Sequence, residues 1–110
     1  MGAFVKGDVI VVPFPFSDLS AAKRRPAFVV AALTGDDVIL CQITSKTVAD
    51  SYAISISDGD FATGGLRQDS NIRPNRLFTA DSNIIRYCVG TLTQGKTQEI
   101  IERIVQIVRG

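Results

Sequence analysis

Two apolar runs, Ala27-Phe28-Val29-Val30-Ala31-Ala32-Leu33 and Val38-Ile39-Leu40-Cys41-Gln42-Ile43, are separated only by Thr34-Gly35-Asp36-Asp37. That arrangement restricts the chain more than any other feature, because it predicts two antiparallel strands joined as a hairpin. In a hairpin closed at Gly35-Asp36, residues equally far from the turn face each other, so Pro26 falls near Gln42 to Thr44 at the open end. Pro26 also biases Arg25 away from helical torsions and toward an extended backbone. Arg25 and Thr44 are therefore expected as neighbours.

The flanking segments extend the β reading. Val9-Ile10-Val11-Val12 has the β-branched character of a strand buried on both faces, with Pro13 and Pro15 predicted to end it. Pro13 to Lys23 then reads as a long loop with Ser17-Asp18-Leu19-Ser20 at its tip. Tyr52 to Ser57 alternates apolar and polar residues, as a half-buried strand does, and Asp58-Gly59-Asp60 stops it. Gly64-Gly65 marks unusual torsions or a close backbone approach. Ser70 to Arg73 and Leu77 to Thr79 read as short strand pieces broken by Pro74, and Ile84 to Val89 as a last strand before Gly90. From Thr97 to Arg109, apolar Ile100, Ile101, Ile104, Val105, Ile107 and Val108 recur at helical spacing, with Thr97 as the expected N-cap. The apolar stripe is expected to cover the sheet or a subunit partner. The fold class is thus mainly β with a C-terminal helix.

At 110 residues the chain is expected to form a single domain, residues 1–110, with one core. Twelve Lys and Arg against 11 Asp and Glu leave a net charge of +1, so any contact with a polyanion must be local. Lys23, Arg24 and Arg25 are consecutive, and Arg67, Arg73 and Arg76 form a second cationic stretch. Cys41 and Cys88 both lie in apolar runs, where free, inert, buried thiols are expected. There is no histidine, no metal-binding cysteine spacing and no C-x-x-C pair, which argues against a metal site. The opening residues lack a signal-peptide layout, Lys6 breaks the myristoylation pattern, and no apolar run approaches the ~20 residues of a membrane span. A cytoplasmic location is the default expectation.

A guanidinium and a hydroxyl meeting at one strand end can grip and cleave a phosphodiester. Phe14 and Phe16 could stack on unpaired bases. Several residue groups occur together here in one order. They are Gly7-Asp8, Pro13-Phe14-Pro15-Phe16-Ser17-Asp18-Leu19, Arg25-Pro26, Ile43-Thr44-Ser45, Gly64-Gly65-Leu66 with Asp69-Ser70, Leu77-Phe78-Thr79 with Asp81, and the terminal helix. In that order the chain resembles the MazF/PemK family of toxins from type II toxin-antitoxin systems, over nearly its whole length.

The resemblance implies a small SH3-like β-barrel with added helices, the cell growth inhibitor/plasmid maintenance toxin fold, and a homodimer. It implies a ribosome-independent endoribonuclease, an mRNA interferase, that cleaves single-stranded RNA without a metal or other cofactor. It implies a cognate antitoxin whose acidic C-terminal tail blocks the RNA groove, with DNA bound only through that antitoxin. By position, Arg25 matches the family's catalytic arginine and Thr44 its catalytic threonine. The expected RNA-binding residues are Lys23, Arg24, Ser45, Arg73, Asn75, Asp18 and Phe16. Two departures from the family pattern stand out. Ser20, Ala21 and Ala22 replace an acidic residue often found before the arginine, leaving Asp18 as the nearest carboxylate. Asn75 stands where some relatives have an aspartate, and an amide cannot accept a proton as a carboxylate does. In the expected mechanism Arg25 binds the scissile phosphate and relays protons, Thr44 holds a phosphate oxygen, and Ser45 and Arg73 orient the strand. The products would carry 2′,3′-cyclic phosphate and 5′-hydroxyl ends. The rival expectation is a catalytically weak or inactive barrel acting as an RNA- or protein-binding module. Serine or cysteine hydrolase chemistry is a poor third, since no histidine can activate Ser45 or Cys41.

Overall fold

The computed structural model describes residues 4–14 and 23–110. Within them, β1 (Asp8–Phe14), β2 (Lys23–Ala32), β3 (Asp37–Thr44), β4 (Ile54–Ile56), β5 (Phe61–Gly64), β6 (Ser70–Asp81) and β7 (Tyr87–Leu92) precede one helix, α1 (Gln94–Arg109). The strands form one antiparallel sheet in the order β4-β6-β3-β2-β1-β7-β5, curled into a half-barrel. The mainly-β fold with a C-terminal helix is therefore the observed one.

The hairpin of β2 and β3 lies at the centre. Ala27 pairs with Gln42 and Phe28 with Cys41, and Gly35 takes φ +82° in the turn, a torsion that residues with a Cβ resist. Because side chains alternate across a strand, this register sorts the hairpin onto two faces. Val9, Phe28, Cys41, Ile43, Ile54, Ile56 and Ile72 pack with Leu92 and with Ile100 and Ile104 of α1. Ile10, Val12, Ala27, Val29, Val38 and Leu40 form a second buried cluster, with Phe4, Phe78, Ala80 and Ile85 against it. The helix stripe thus covers the sheet, through Ile100 and Ile104, while Val108 is exposed.

Several boundaries differ from the sequence reading. β1 continues through Pro13, which pairs with Arg24. The flank facing β7 explains this: β7 pairs with Asp8 to Val11 only, and Arg86 N–H donates to the Val11 carbonyl at 2.8 Å. Two residues on, the donor that Pro13 lacks would point to the same flank, where no ladder bond needs it. β6 is one strand rather than two pieces, with Pro74, Asn75 and Arg76 bulging between Arg73, opposite Gln42, and Leu77, opposite Cys41. β4 is trimmed to Ile54–Ile56. The last strand starts at Tyr87 and passes through Gly90, because Ser82–Ile84 forms a 3-10 turn capped by Asp81, which accepts from Asn83 N–H. The helix begins one turn earlier than expected: Thr93, not Thr97, is the N-cap and accepts from Lys96 N–H at 3.2 Å. Gly64 explains the double glycine. A Cβ there, at φ +67°, would lie 2.0 Å from the Val89 carbonyl oxygen, so β5 can approach β7 only without a side chain.

Candidate active site

Arg25 and Thr44 project to the same face. Ala27 and Gln42 form the outermost pair between β2 and β3, and Arg25 and Thr44 each lie two residues beyond it, which preserves the face. The row continues across the sheet, since Val12 pairs with Arg25, Asn71 with Thr44 and Ser55 with Asn71. The next row holds Ala27, Gln42 and Arg73. Arg25 and Thr44 are both half-buried. This face therefore carries a guanidinium, a hydroxyl and an amide side by side.

The Thr44 hydroxyl has a defined role in its own turn. Its Oγ1 accepts the Lys46 N–H at 3.2 Å, which folds the chain sharply as it leaves β3. That bond uses an acceptor lone pair and leaves the O–H proton available to donate. The Arg25 guanidinium supplies positive charge and planar donors beside it.

On the other flank, Arg73 Nη2 donates to Asp50 Oδ2 at 3.0 Å, and each side chain is about one-fifth exposed (20% and 19%). Asp50 Oδ1 accepts the N–H groups of Tyr52 and Ala53 at 2.7 and 3.0 Å. The Arg73 hydrogen bond first, and then these backbone donors, hold the Asp50 carboxyl below its ordinary pKa against the effect of burial. Arg73 Nε is buried with no hydrogen-bond partner. Beside this row, Gln42, Arg76, Leu77 and Phe78 line a cleft of about 350 Å³.

The sequence profile of the PemK-like, MazF-like toxins of type II toxin-antitoxin systems matches residues 5–108. The chain belongs to that family. No curated protein matches it by sequence. Its fold resembles that of MazF from Deinococcus radiodurans, with a TM-score of 0.75 at 13% identity, covering 100% of both chains. It also resembles an endoribonuclease from a mycobacterial species in complex with its cognate antitoxin, with a TM-score of 0.75 at 12% identity, covering 97% of this chain and 96% of that one. The Mycobacterium tuberculosis toxin MazF-mt6 gives 0.71 at 15% identity, covering 93% and 96%.

In this PemK/MazF-like toxin the other candidate residues are spread more widely. Arg24 lies one residue from Arg25 and so alternates to the opposite face, level with Pro13. Ser45 is exposed just beyond β3, and Asn75 is exposed in the β6 bulge. Lys23 pairs through its backbone with Phe14. Phe16 and Asp18, with the rest of the expected loop tip, lie outside the described residues. The two cysteines are free but differ: Cys41 is buried and its thiol pKa pushed up by burial, which keeps it inert. Contrary to the buried expectation, Cys88 is exposed, and its Sγ donates to the Gly90 carbonyl at 3.3 Å. Its place in an apolar run was misleading because the β1–β7 register shifts between Val9 and Ile10, where it pairs with Ile10 near the end of that ladder. Sequence reasoning passed over Gln42 and Asp50. Asp50 left one usable signal, an acidic residue two positions before Tyr52 and the following strand, which is the spacing of a side-chain-closed turn.

Proposed function

We propose that this chain is the toxin of a toxin-antitoxin pair that acts as a metal-independent, ribosome-independent endoribonuclease on single-stranded RNA. The observation that carries the reading is the shared face of Arg25 and Thr44 at the open end of the central hairpin. Cleavage of an RNA backbone without a metal needs the 2′-hydroxyl aligned on the phosphorus, charge on the phosphoryl oxygens neutralised, and proton transfers from the nucleophile and to the 5′-oxygen. Arg25 neutralises the phosphoryl charge as a fixed donor, while the Thr44 O–H donates to a phosphate oxygen, and the proton lost by the 2′-hydroxyl is matched by the one the 5′-oxygen gains. Arg73 and Ser45 orient the backbone, and Asn75 and Lys23 contact it alongside. Attack by the 2′-oxygen leaves a 2′,3′-cyclic phosphate and a 5′-hydroxyl. The cleft beside Gln42 gives an unpaired base room next to the phosphate.

Structures of relatives with their antitoxins support the corresponding partner here: a cognate antitoxin whose acidic tail competes with RNA for the same cationic face. A homodimer is part of the same reading, as is action in the cytoplasm. Among the described residues no helix is long and apolar enough to cross a membrane.

The test is digestion of a long single-stranded RNA in excess chelator, with chemical identification of the new ends. Cyclic phosphate and 5′-hydroxyl ends are expected from the wild type. RNA retained in a gel shift but left intact would favour the noncatalytic binding module instead.

A further inference from the structure

The loop between β3 and β4, residues 45–53, is tied down at three places, two of them beside the candidate site. Asn71 Nδ2 donates to the Lys46 carbonyl at 3.2 Å, and Arg103 Nη1 of α1 donates to the carbonyls of Ser51 and Tyr52 at 3.2 and 3.0 Å. The third tie is Arg73 to Asp50 at 3.0 Å. Asp50 divides its carboxylate between two tasks, since Oδ1 closes the turn through Tyr52 and Ala53 while Oδ2 takes the guanidinium.

Arg73 depends on that grip. It carries five donors, its Nε is buried without a partner, and its single ion pair among the described residues is the one to Asp50. It stands opposite Gln42, one row along from the Thr44–Asn71 pair on the adjacent strand, while Arg25 flanks Thr44 from β2. Thr44 thus lies between two guanidinium groups, and among the described residues only the one on β6 has a carboxylate beside it. A purely attractive cation would need no such partner, because a carboxylate close to a polyanion site lowers its pull on the polyanion. Its presence makes sense where direction matters more than charge, since preoriented donors need no rearrangement as phosphoryl charge develops.

We propose that Asp50 is a positioning residue, which aims the Arg73 guanidinium at the phosphoryl oxygens of an RNA strand seated on Arg25 and Thr44. This rests on the endoribonuclease reading. Asp50 touches no substrate and acts through Arg73, so its loss separates binding from turnover. The freed Arg73 still attracts RNA but meets the transition state in the wrong direction.

Two variants split the two tasks of the carboxylate. Asp50→Asn keeps one oxygen to close the turn and loses the charged acceptor for Arg73, whereas Asp50→Glu keeps the charge but is too long for the turn. Steady-state cleavage of an unpaired fluorogenic oligoribonucleotide by the full chain, beside thermal melts, reads both. Asp50→Asn should lower kcat about tenfold, the effect of one charge-assisted bond, with KM unchanged or lower and Tm nearly unchanged. Asp50→Glu should recover most of kcat while melting earlier. On an Arg73→Gln background, Asp50→Asn should cost no further activity. Unchanged kcat in Asp50→Asn, kcat that follows Tm across the variants, or additive losses in the double variant would each overturn the positioning role alone. A wild type that neither cleaves nor binds the oligonucleotide would bring down the endoribonuclease reading, and this inference with it.

Discussion

Ile43 and Thr44 are adjacent, as are Ile72 and Arg73, yet each pair is divided between two faces of the same sheet. The isoleucines are almost wholly enclosed under α1, whereas Thr44 and Arg73 are half-buried on the opposite face with Arg25. The comparison shows how a chain of this size can build a core and a charged site from the same strands. One register supports both, so a one-residue slip would exchange them and disrupt both. The stability of the first face and the chemistry proposed for the second should therefore be separable by substitution.

The sharpest separation comes from the buried face. Phe28 is fully enclosed, and Phe28→Ala should destabilise the fold by about 3–5 kcal/mol, read as a lower midpoint in chemical denaturation. RNA cleavage should fall only in proportion to the folded fraction. On the other face, Arg25→Ala should reduce kcat/KM for RNA by about 10²–10³-fold, the usual effect of removing a donor aimed at developing charge, while circular dichroism and Tm stay close to wild type. A folded Arg25→Ala, Thr44→Ala double variant with full activity would break the assignment of chemistry to this face. Thr44→Val keeps the shape and removes the hydroxyl, so a loss of about tenfold in kcat is expected, with Thr44→Ser restoring most of it.

The smallest effect concerns acid stability at the Asp50–Arg73 pair. The Asp50 carboxyl is held below its ordinary value in the folded chain, chiefly by Arg73. A depressed carboxyl contributes its stabilisation fully above the unfolded pKa of about 3.9, and that contribution disappears as pH falls through the lower folded value. Tm of the wild type should therefore drop more steeply below about pH 4 than Tm of Asp50→Asn. Parallel curves would show that the pair contributes little to stability at this partly exposed position.

Legibility in the sequence followed the range of the interactions. The hairpin was readable because Gly35 and the two apolar runs specify it within a few residues, and the terminal helix because its apolar spacing is local. The nearness of Arg25 and Thr44 could be counted from the turn for the same reason, but their shared face depends on the register shift between Val29 and Ala31, which no local pattern marks. The helix start was misplaced because both Thr93 and Thr97 are chemically able to cap, and tertiary contacts decide between them: Thr93 N–H donates to the Asp60 carbonyl at 2.8 Å, fixing the cap beside β5. Pro13 was read as a strand end because a sequence shows that a donor is missing but not that its flank has no partner to disappoint.

The order of residues alone therefore determined the strand character, the pairing of the two hairpin strands and the family, since each is written in neighbouring side chains or in their succession along the chain. The tertiary structure decided that Asp50 meets Arg73 across 23 residues, that Arg103 holds the intervening loop, and that Pro74 to Arg76 bulge without breaking β6. Those contacts join distant segments, and their geometry is set by how the sheet curls and where α1 packs on it, which no local pattern encodes.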